Sequence, residues 1–490
     1  MVKRNSIIAL IVMALVLSFT ACNKPKQDAT PAADSNTFTL PFHAEDAINP
    51  YSCRSECNLY LSPLIYDSLI TINDKREVVN ALAESYIIED NTITLKLKPA
   101  LFSDGSEVTS DDVIHSFNQA KQSERYKEQL RLFSSADRKG SSVVRFTLSQ
   151  KNIYALNLLT FPIISQKNNN IGSGYYALEK ENDVYTLTYN KNHEGAKPQM
   201  ETIALTACSD YSAAPKLFNN EQIDYLFEIF DLNNVRTAAI HSQKAKLNNL
   251  VFVGLNSKKG LLKDKNFRNA IQFSLNQNKL CEQAMEGYGV PTATPFDSEW
   301  SEIGSIVSNS VLSNAKQAKE AFAAAGCAYD KMGISLMYEE EPITLELIVN
   351  SASNMKIAIA EMIKTELINC GIAVEVKKMP LDEYNIAIEN ENFDMYIGEV
   401  KISNDFNFDC FFTTGGGADF GIHAPDLQNI YANFKKGDAS LQDFVSAFCE
   451  ENPFVPIGYK CANVCFGANV DCDASVSENN MYAHIEEWSK

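Results

Sequence analysis

Six histidines are the whole supply of imidazole in this chain of 490 residues, at His43, His115, His193, His241, His423 and His484. No two stand at the helical spacing that presents a pair of metal ligands from one face. His193 precedes Glu194, the start of a zinc-protease helix, but the second histidine that pattern needs is missing. Neither a Gly-x-Ser-x-Gly elbow nor a Gly-x-x-x-x-Gly-Lys phosphate loop occurs. Ser353 with Lys356, and Ser313 with Lys316, match the Ser-x-x-Lys of penicillin-recognising enzymes. The accompanying Lys-Thr-Gly is absent, and so short a pattern recurs by chance in a long chain. Ser353 is better explained as a helix cap. Cys53 with Cys57, and Cys461 with Cys465, have a spacing that would set two thiols on one helical face; metal ligation, a bridge and buried reduced thiols are all open readings. The run Gly415, Gly416, Gly417 could approach an anion or form a plain turn. Apart from the open readings of the cysteine pairs, these residues supply no catalytic, metal or cofactor motif, so the chemistry to look for is binding.

The elements that would position a binding site are of two kinds. Ile343, Leu345, Leu347 and Val349 alternate with polar residues as a strand does, and Ser353 then opens a helix whose apolar face is Met355, Ile359, Met362, Ile363 and Leu367. Gly371 stands where a left-handed terminator belongs. Ile372, Val374 and Val376 make the next strand, residues 381–388 a short helix, and residues 393–400 a further buried strand. Strand, helix, strand, helix, strand is α/β architecture. Earlier, Ile93, Leu95 and Leu97 alternate before the turn Ser103, Asp104, Gly105, and Thr109 caps a helix with Asp112 completing a capping box.

The N-terminus reads as an export signal. Lys3 and Arg4 precede an apolar run from Ile7 to Leu17, too short for a comfortable span, and small residues lead into Cys22. Phe19, Thr20 and Ala21 before Cys22 resemble a lipobox in which leucine is more usual at the place of Phe19. The expectation is a signal peptide over residues 1–21, lipidation of Cys22, and a polar tether over residues 22–36. The remainder exceeds the size of one hydrophobic core, so at least two packed lobes are expected. A net charge of −19 with no basic stretch argues against nucleic acid. Twelve cysteines, eleven of them after Cys22 and scattered, are not a disulfide scaffold.

One segment is more specific. Leu82-Ala83-Glu84-Ser85-Tyr86 leads through Ile93 and Lys98 to Phe102-Ser103-Asp104-Gly105, then to Val108, Thr109, Ser110, Asp111, Asp112, Val113, Ser116 and Phe117. This order resembles the extracellular solute-binding proteins of peptide and nickel ABC importers, family 5. Further matches follow in family order. They are Gly172-Ser173-Gly174-Tyr175-Tyr176, Glu221-Gln222-Ile223-Asp224, Gly254-Leu255-Asn256, Phe267-Arg268-Asn269-Ala270-Ile271, Gly287-Tyr288-Gly289 with Pro291, and Phe393-Asp394-Met395. The resemblance implies a type II periplasmic-binding-protein-like fold, α/β, with two hinged lobes joined by crossing strands and an additional inserted domain. Mapped by order, the first lobe is residues 37–66, 169–256 and 457–490, the insert is 67–168, and the second lobe is 257–456. It implies a monomer held to the membrane by its lipid alone, outside the cytoplasm, that delivers a peptide or other small solute to ABC permease subunits. A secreted hydrolase or a surface receptor on the same scaffold is the competing class.

Peptide-binding relatives carry a tryptophan and an Ala-Asp-Tyr phrase after the strand that here ends near Gly398, and that aspartate takes the peptide ammonium. This chain has Glu399-Val400-Lys401-Ile402-Ser403-Asn404-Asp405-Phe406, with no aspartate in register. Either Glu399 or Asp405 could take that role, with Lys401, Asn404 and Phe406 beside them, because open α/β sheets bind at the carboxyl ends of their strands; the alternative is a ligand without an α-amine. Asn49 and Tyr51, after the opening strand from Phe38 to Phe42, are expected to face them. If Cys22 is the anchor, Cys22→Ala moves the protein from the membrane pellet to the soluble fraction on cell fractionation; a variant that sediments like the wild type contradicts the anchor.

Overall fold

Two long paired strands organise this molecule. The computed structural model describes residues 37–229, 236–307, 313–472 and 475–490; the expected signal peptide, tether and Cys22 lie outside them. Strand His241–Leu255 is 15 residues long and strand Phe454–Phe466 is 13, every residue of the second buried. They pair antiparallel from Gly254 opposite Phe454 to His241 opposite Phe466, with register shifts between Lys246 and Leu250 and between Val251 and Phe252. At one end, Ala245, Leu247, Ala462, Val464 and Phe466 join a core containing Phe38, Ile203 and Trp488. At the other, Val251, Val253, Leu255, Val455 and Ile457 join a core containing Phe267, Ile359 and Ile397.

Successive side chains of a strand point to opposite faces, and the second half of the sheet obeys this. Leu250, Phe252, Ile348 and Tyr396 face a third core that is mostly aromatic, with Phe296, Trp300, Phe406, Phe434 and Phe444. The full order of this sheet is Tyr225–Glu228, Phe454–Phe466, His241–Leu255, Met395–Lys401, Thr344–Asn350 and Ala373–Met379, with Gly289–Pro291 also paired to Phe454–Phe466. Thr344–Asn350 runs parallel to both neighbours because helices Asn354–Asn369 and Leu381–Glu389 carry the chain back between strands. The local signals act as read from sequence. The Ser353 hydroxyl accepts from the Lys356 amide at 3.3 Å, and Gly371 takes φ 82°.

A smaller sheet pairs Phe38–Phe42 parallel to Thr202–Ala207, which continues into Val184–Tyr189 and Tyr176–Glu181. Gly172 and Gly174 pass against helix Glu56–Ile65; a Cβ on Gly172 would lie 2.0 Å from the Ile65 carbonyl oxygen, so only glycine fits. Residues 69–163 have a core of their own, built from Leu95, Phe117, Phe133, Phe146 and Phe161. It lies under the sheet Ala83–Glu89, Thr92–Leu97, Val143–Leu148, Phe133–Arg138 and the helix Ser110–Gln122. The capping box at that helix is present: the Asp112 carboxylate accepts from the Thr109 amide at 3.0 Å and from its hydroxyl at 2.7 Å.

The interrupted ladder is stitched by a side chain from the 69–163 region. Arg76 stands at φ 63° in the turn between the paired strands Ile70–Ile72 and Val78–Asn80. Its Nη2 donates to the Leu247 carbonyl at 3.3 Å, its Nη1 to Asn248 Oδ1, and its Nε to Asp297 at 3.3 Å. Its guanidinium also lies over the Tyr459 ring at 5.7 Å. Lys246 reaches Asp297 at 3.6 Å, so this carboxylate, 1 % exposed, is shared by two cations.

Neither cysteine pair forms a helical face. Cys53 precedes helix Glu56–Ile65, while Cys461 and Cys465 lie on an extended strand. Among the described residues no two cysteines are joined by a disulfide. Among the described residues no helix is long and apolar enough to cross a membrane.

Candidate functional site

A cavity of 1720 Å³ opens where these parts meet. One wall comes from residues 51–71, including helix Glu56–Ile65, and a second from residues 122–132 after helix Ser110–Gln122. Residues 401–416, the exit of strand Met395–Lys401, form a third part of the lining, where Asp409 meets Arg131 at 3.6 Å, and Asn248 and residues 478–481 complete it. Helix Glu56–Ile65 starts where the Ser55 hydroxyl accepts from the Cys57 amide at 3.2 Å, and this sets Tyr60 one turn further along the cavity. Tyr60 is held edge-on by Tyr211 at 4.7 Å. Burial, with Glu56 and Glu478 nearby, pushes its phenol up, so it stays a neutral donor and acceptor. Tyr51 packs edge-on against Tyr126 at 5.5 Å and donates to the Pro162 carbonyl. Arg54 and Arg125 line the same side, and neither has a carboxylate within ion-pair distance among the described residues.

Four of the seven residues expected at the site line this cavity, namely Tyr51, Lys401, Asn404 and Asp405. Three do not, and each has a local reason. Asn49 is buried and shapes its own turn, its side-chain oxygen accepting from the Tyr51 amide at 2.9 Å and its carbonyl from the Cys53 amide at 2.9 Å. Glu399 faces Lys356 at 3.1 Å and Lys460 at 3.3 Å and accepts from Asn249 at 2.8 Å. Phe406 turns inward at φ 52° and stacks on Trp300 at 4.0 Å. Of the acidic candidates, only Asp405 reaches the cavity wall. It is 3 % exposed, accepts from Asn152 Nδ2 at 2.9 Å and from Ser403, and burial raises its carboxyl above the ordinary range. Lys401 is paired with Glu478, and Asn404 bridges Asn248 and Asn479 at 3.0 and 3.1 Å.

The glycine run is occupied from within. The Asp419 carboxylate accepts from the Gly415 amide at 3.0 Å and from the Gly417 amide at 3.1 Å, so these donors are already used. Sequence reasoning missed Tyr60, Arg125 and Tyr126. Their neighbours in sequence carry no motif, and only the folding of residues 51–71 against 122–132 brings them together. None of the six histidines lines the cavity.

Residues 77–419 match the profile of bacterial extracellular solute-binding proteins, family 5. The chain belongs to that family. It is therefore a type II periplasmic-binding-protein fold and a solute-binding protein of ABC importers that bind peptides or nickel, not an enzyme. The oligopeptide-binding protein AppA of Bacillus subtilis is 24% identical over 432 residues, which cover 78% of this chain and 77% of AppA. A nickel ABC transporter structure from Bacillus halodurans superposes with a TM-score of 0.74 at 16% identity, over 91% of this chain and 98% of that one. The structure of AppA with a nonapeptide superposes with 0.56 at 18% identity, over 93% and 98%.

The position of Glu399 changes what its substitution should do. Burial alone would raise its carboxyl, but Lys356 and Lys460 outweigh burial and hold it below the usual range. A depressed carboxylate contributes stability that is complete above its unfolded value of about 4.3 and fades as pH falls through the lower folded value. Glu399→Gln leaves two partly buried ammonium groups facing an amide and is expected to cost about 3–5 kcal/mol of unfolding free energy at neutral pH. The deficit shrinks below about pH 4 in urea titrations. A variant as stable as the wild type at pH 7 contradicts this role.

Proposed function

We propose that the chain captures a short peptide in the cavity, held outside the cytoplasm by a lipid on Cys22, and presents it to an ABC permease. The size of the cavity carries this reading. At 1720 Å³ it exceeds the roughly 300–1,000 Å³ of a usual small-molecule site, as an extended chain of several residues requires. The walls support it. Tyrosines give flat apolar contact that tolerates varied side chains, and Arg54 and Arg125 offer positive charge to a terminal carboxylate. The absence of histidine from the lining favours peptide over a nickel ion ligated by the protein. The similarity to AppA, an oligopeptide-binding protein, points the same way.

In this proposal the first lobe is residues 37–66, 169–256 and 457–490, the insert is 67–168 and the second lobe 257–456. The lobes turn about the interrupted ladder near Lys246–Leu250. Closure follows ligand only to the extent that the ligand touches both walls. The chain acts as a monomer, since nothing in this mechanism calls for a second copy.

The test is retention followed by titration. The protein is incubated with a mixture of short unmodified peptides, and the retained fraction is identified by mass spectrometry; unchanged peptides are expected. Retention of nickel–histidine but no peptide contradicts the proposal. Arg125→Gln should weaken a retained peptide by about 1.5–3 kcal/mol, the range for a hydrogen bond to a charged group, and should leave its C-terminal amide unaffected.

A further inference from the structure

Tyr154 stands where two distinct hydrophobic cores meet. Its chain neighbours Ala155, Leu156 and Leu158 are buried in the core of residues 69–163. Its own ring stands in the aromatic core, 5.8 Å from Trp300, 5.2 Å from Phe406 and 5.8 Å from Phe434. Its hydroxyl meets Glu302 at 3.2 Å. The flanking residues fix this insertion. Asn152 donates to Asp405 at 2.9 Å, the Ile153 amide to the Lys435 carbonyl at 3.0 Å, and Asn157 to the Asn404 carbonyl at 3.0 Å. Asn404 in turn accepts from Asn248, which lies inside the interrupted ladder of the long strands.

This contact sits beside the cavity but is not part of it, since neither Asn152 nor Tyr154 lines the wall. The two walls it links are nonetheless those a ligand must bridge. Residues 122–132 belong with the 69–163 core, whereas residues 401–416 belong with the aromatic one. A packed ring leaves its socket as a unit, so a rotation at the ladder that parts these walls must withdraw Tyr154 from between Trp300 and Phe434.

We propose that Tyr154 is a positioning residue for ligand capture, bracing the 69–163 core against the aromatic core and so setting the separation of the cavity walls without touching the ligand. A residue of this kind changes the fraction of molecules in the binding-competent arrangement. That fraction multiplies the apparent affinity of every ligand equally. The affinity consequence rests on the peptide reading above; the effect on molecular shape does not.

The experiment compares the full-length wild type with Tyr154→Ala, Tyr154→Phe and Asn157→Ala by small-angle X-ray scattering without added peptide, with circular dichroism to verify folding. The radius of gyration is expected to rise in Tyr154→Ala and in Asn157→Ala, and to return to the wild-type value in Tyr154→Phe, which keeps the ring in its socket. Equal radii for the wild type, Tyr154→Ala and Asn157→Ala overturn the proposal, because the ring is then only core filling. Should Tyr154→Ala not fold, Asn157→Ala decides alone. In a second arm, the folded variants are titrated with several unmodified peptides of different sequence. Loss by one common factor supports a brace, and a changed order of preference overturns it. If no peptide binds any of the proteins, the peptide reading fails while the scattering result still judges the brace.

Discussion

The pairing of His241–Leu255 with Phe454–Phe466 is the constraint on which the rest of the structure depends. Because the two strands run through separate cores, neither core can be completed without the other strand's far half. The ladder between them is not continuous, and the backbone groups it leaves free have to be satisfied by other means. Arg76 does this for the Leu247 carbonyl, and it arrives from the 69–163 region with its own charge balanced by Asp297. A buried pair of this kind is unfavourable to break: Arg76 without Asp297 is an uncompensated charge, whereas Asp297 without Arg76 still faces Lys246. The site of the interruption is thus held by side chains, whose contacts can change while the strands stay paired on both sides of it.

Electrostatics at the exit of strand Met395–Lys401 show how position decides the use of a carboxylate. Glu399 and Asp405 are six residues apart and look alike in sequence. Glu399 faces two lysines and is kept charged by them, while Asp405 is buried among amide and hydroxyl donors and is pushed toward the neutral form. Glu478 and Asp409 reach the cavity already paired with Lys401 and Lys435. The acids named here are thus spent on the protein itself, whereas Arg54 and Arg125 have no ion-pair partner among the described residues.

Much of the scaffold was legible in the sequence, because periodicity and caps are local. The helix opened by Ser353 and ended at Gly371, the capping box at Thr109 and Asp112, and the alternating strands around Leu95 and Leu347 all act through neighbours a few residues away. The family order, read from motifs between Leu82 and Met395, was equally accessible. The cavity was half legible. Strand-exit reasoning reached Lys401, Asn404 and Asp405, but it had no means of telling that Glu399 is taken up by Lys356 and Lys460 or that Phe406 turns into the aromatic core. Those outcomes depend on Lys460 and Trp300, far away in sequence. Tyr60, Arg125 and Tyr126 were missed for the same reason, since a surface assembled from separate segments leaves no pattern in any one of them.

The central claim is that one ligand spans the wall of residues 51–71 and 122–132 and the wall of residues 401–416. Photo-crosslinking tests it most directly: a retained peptide carrying a photoreactive group at one end, and then at the other, is irradiated in complex and its attachment sites are mapped by mass spectrometry. The account predicts attachment near Arg125 from the carboxyl end and within residues 401–416 from the other end. Attachment outside both segments, or to a single wall from both ends, would contradict it.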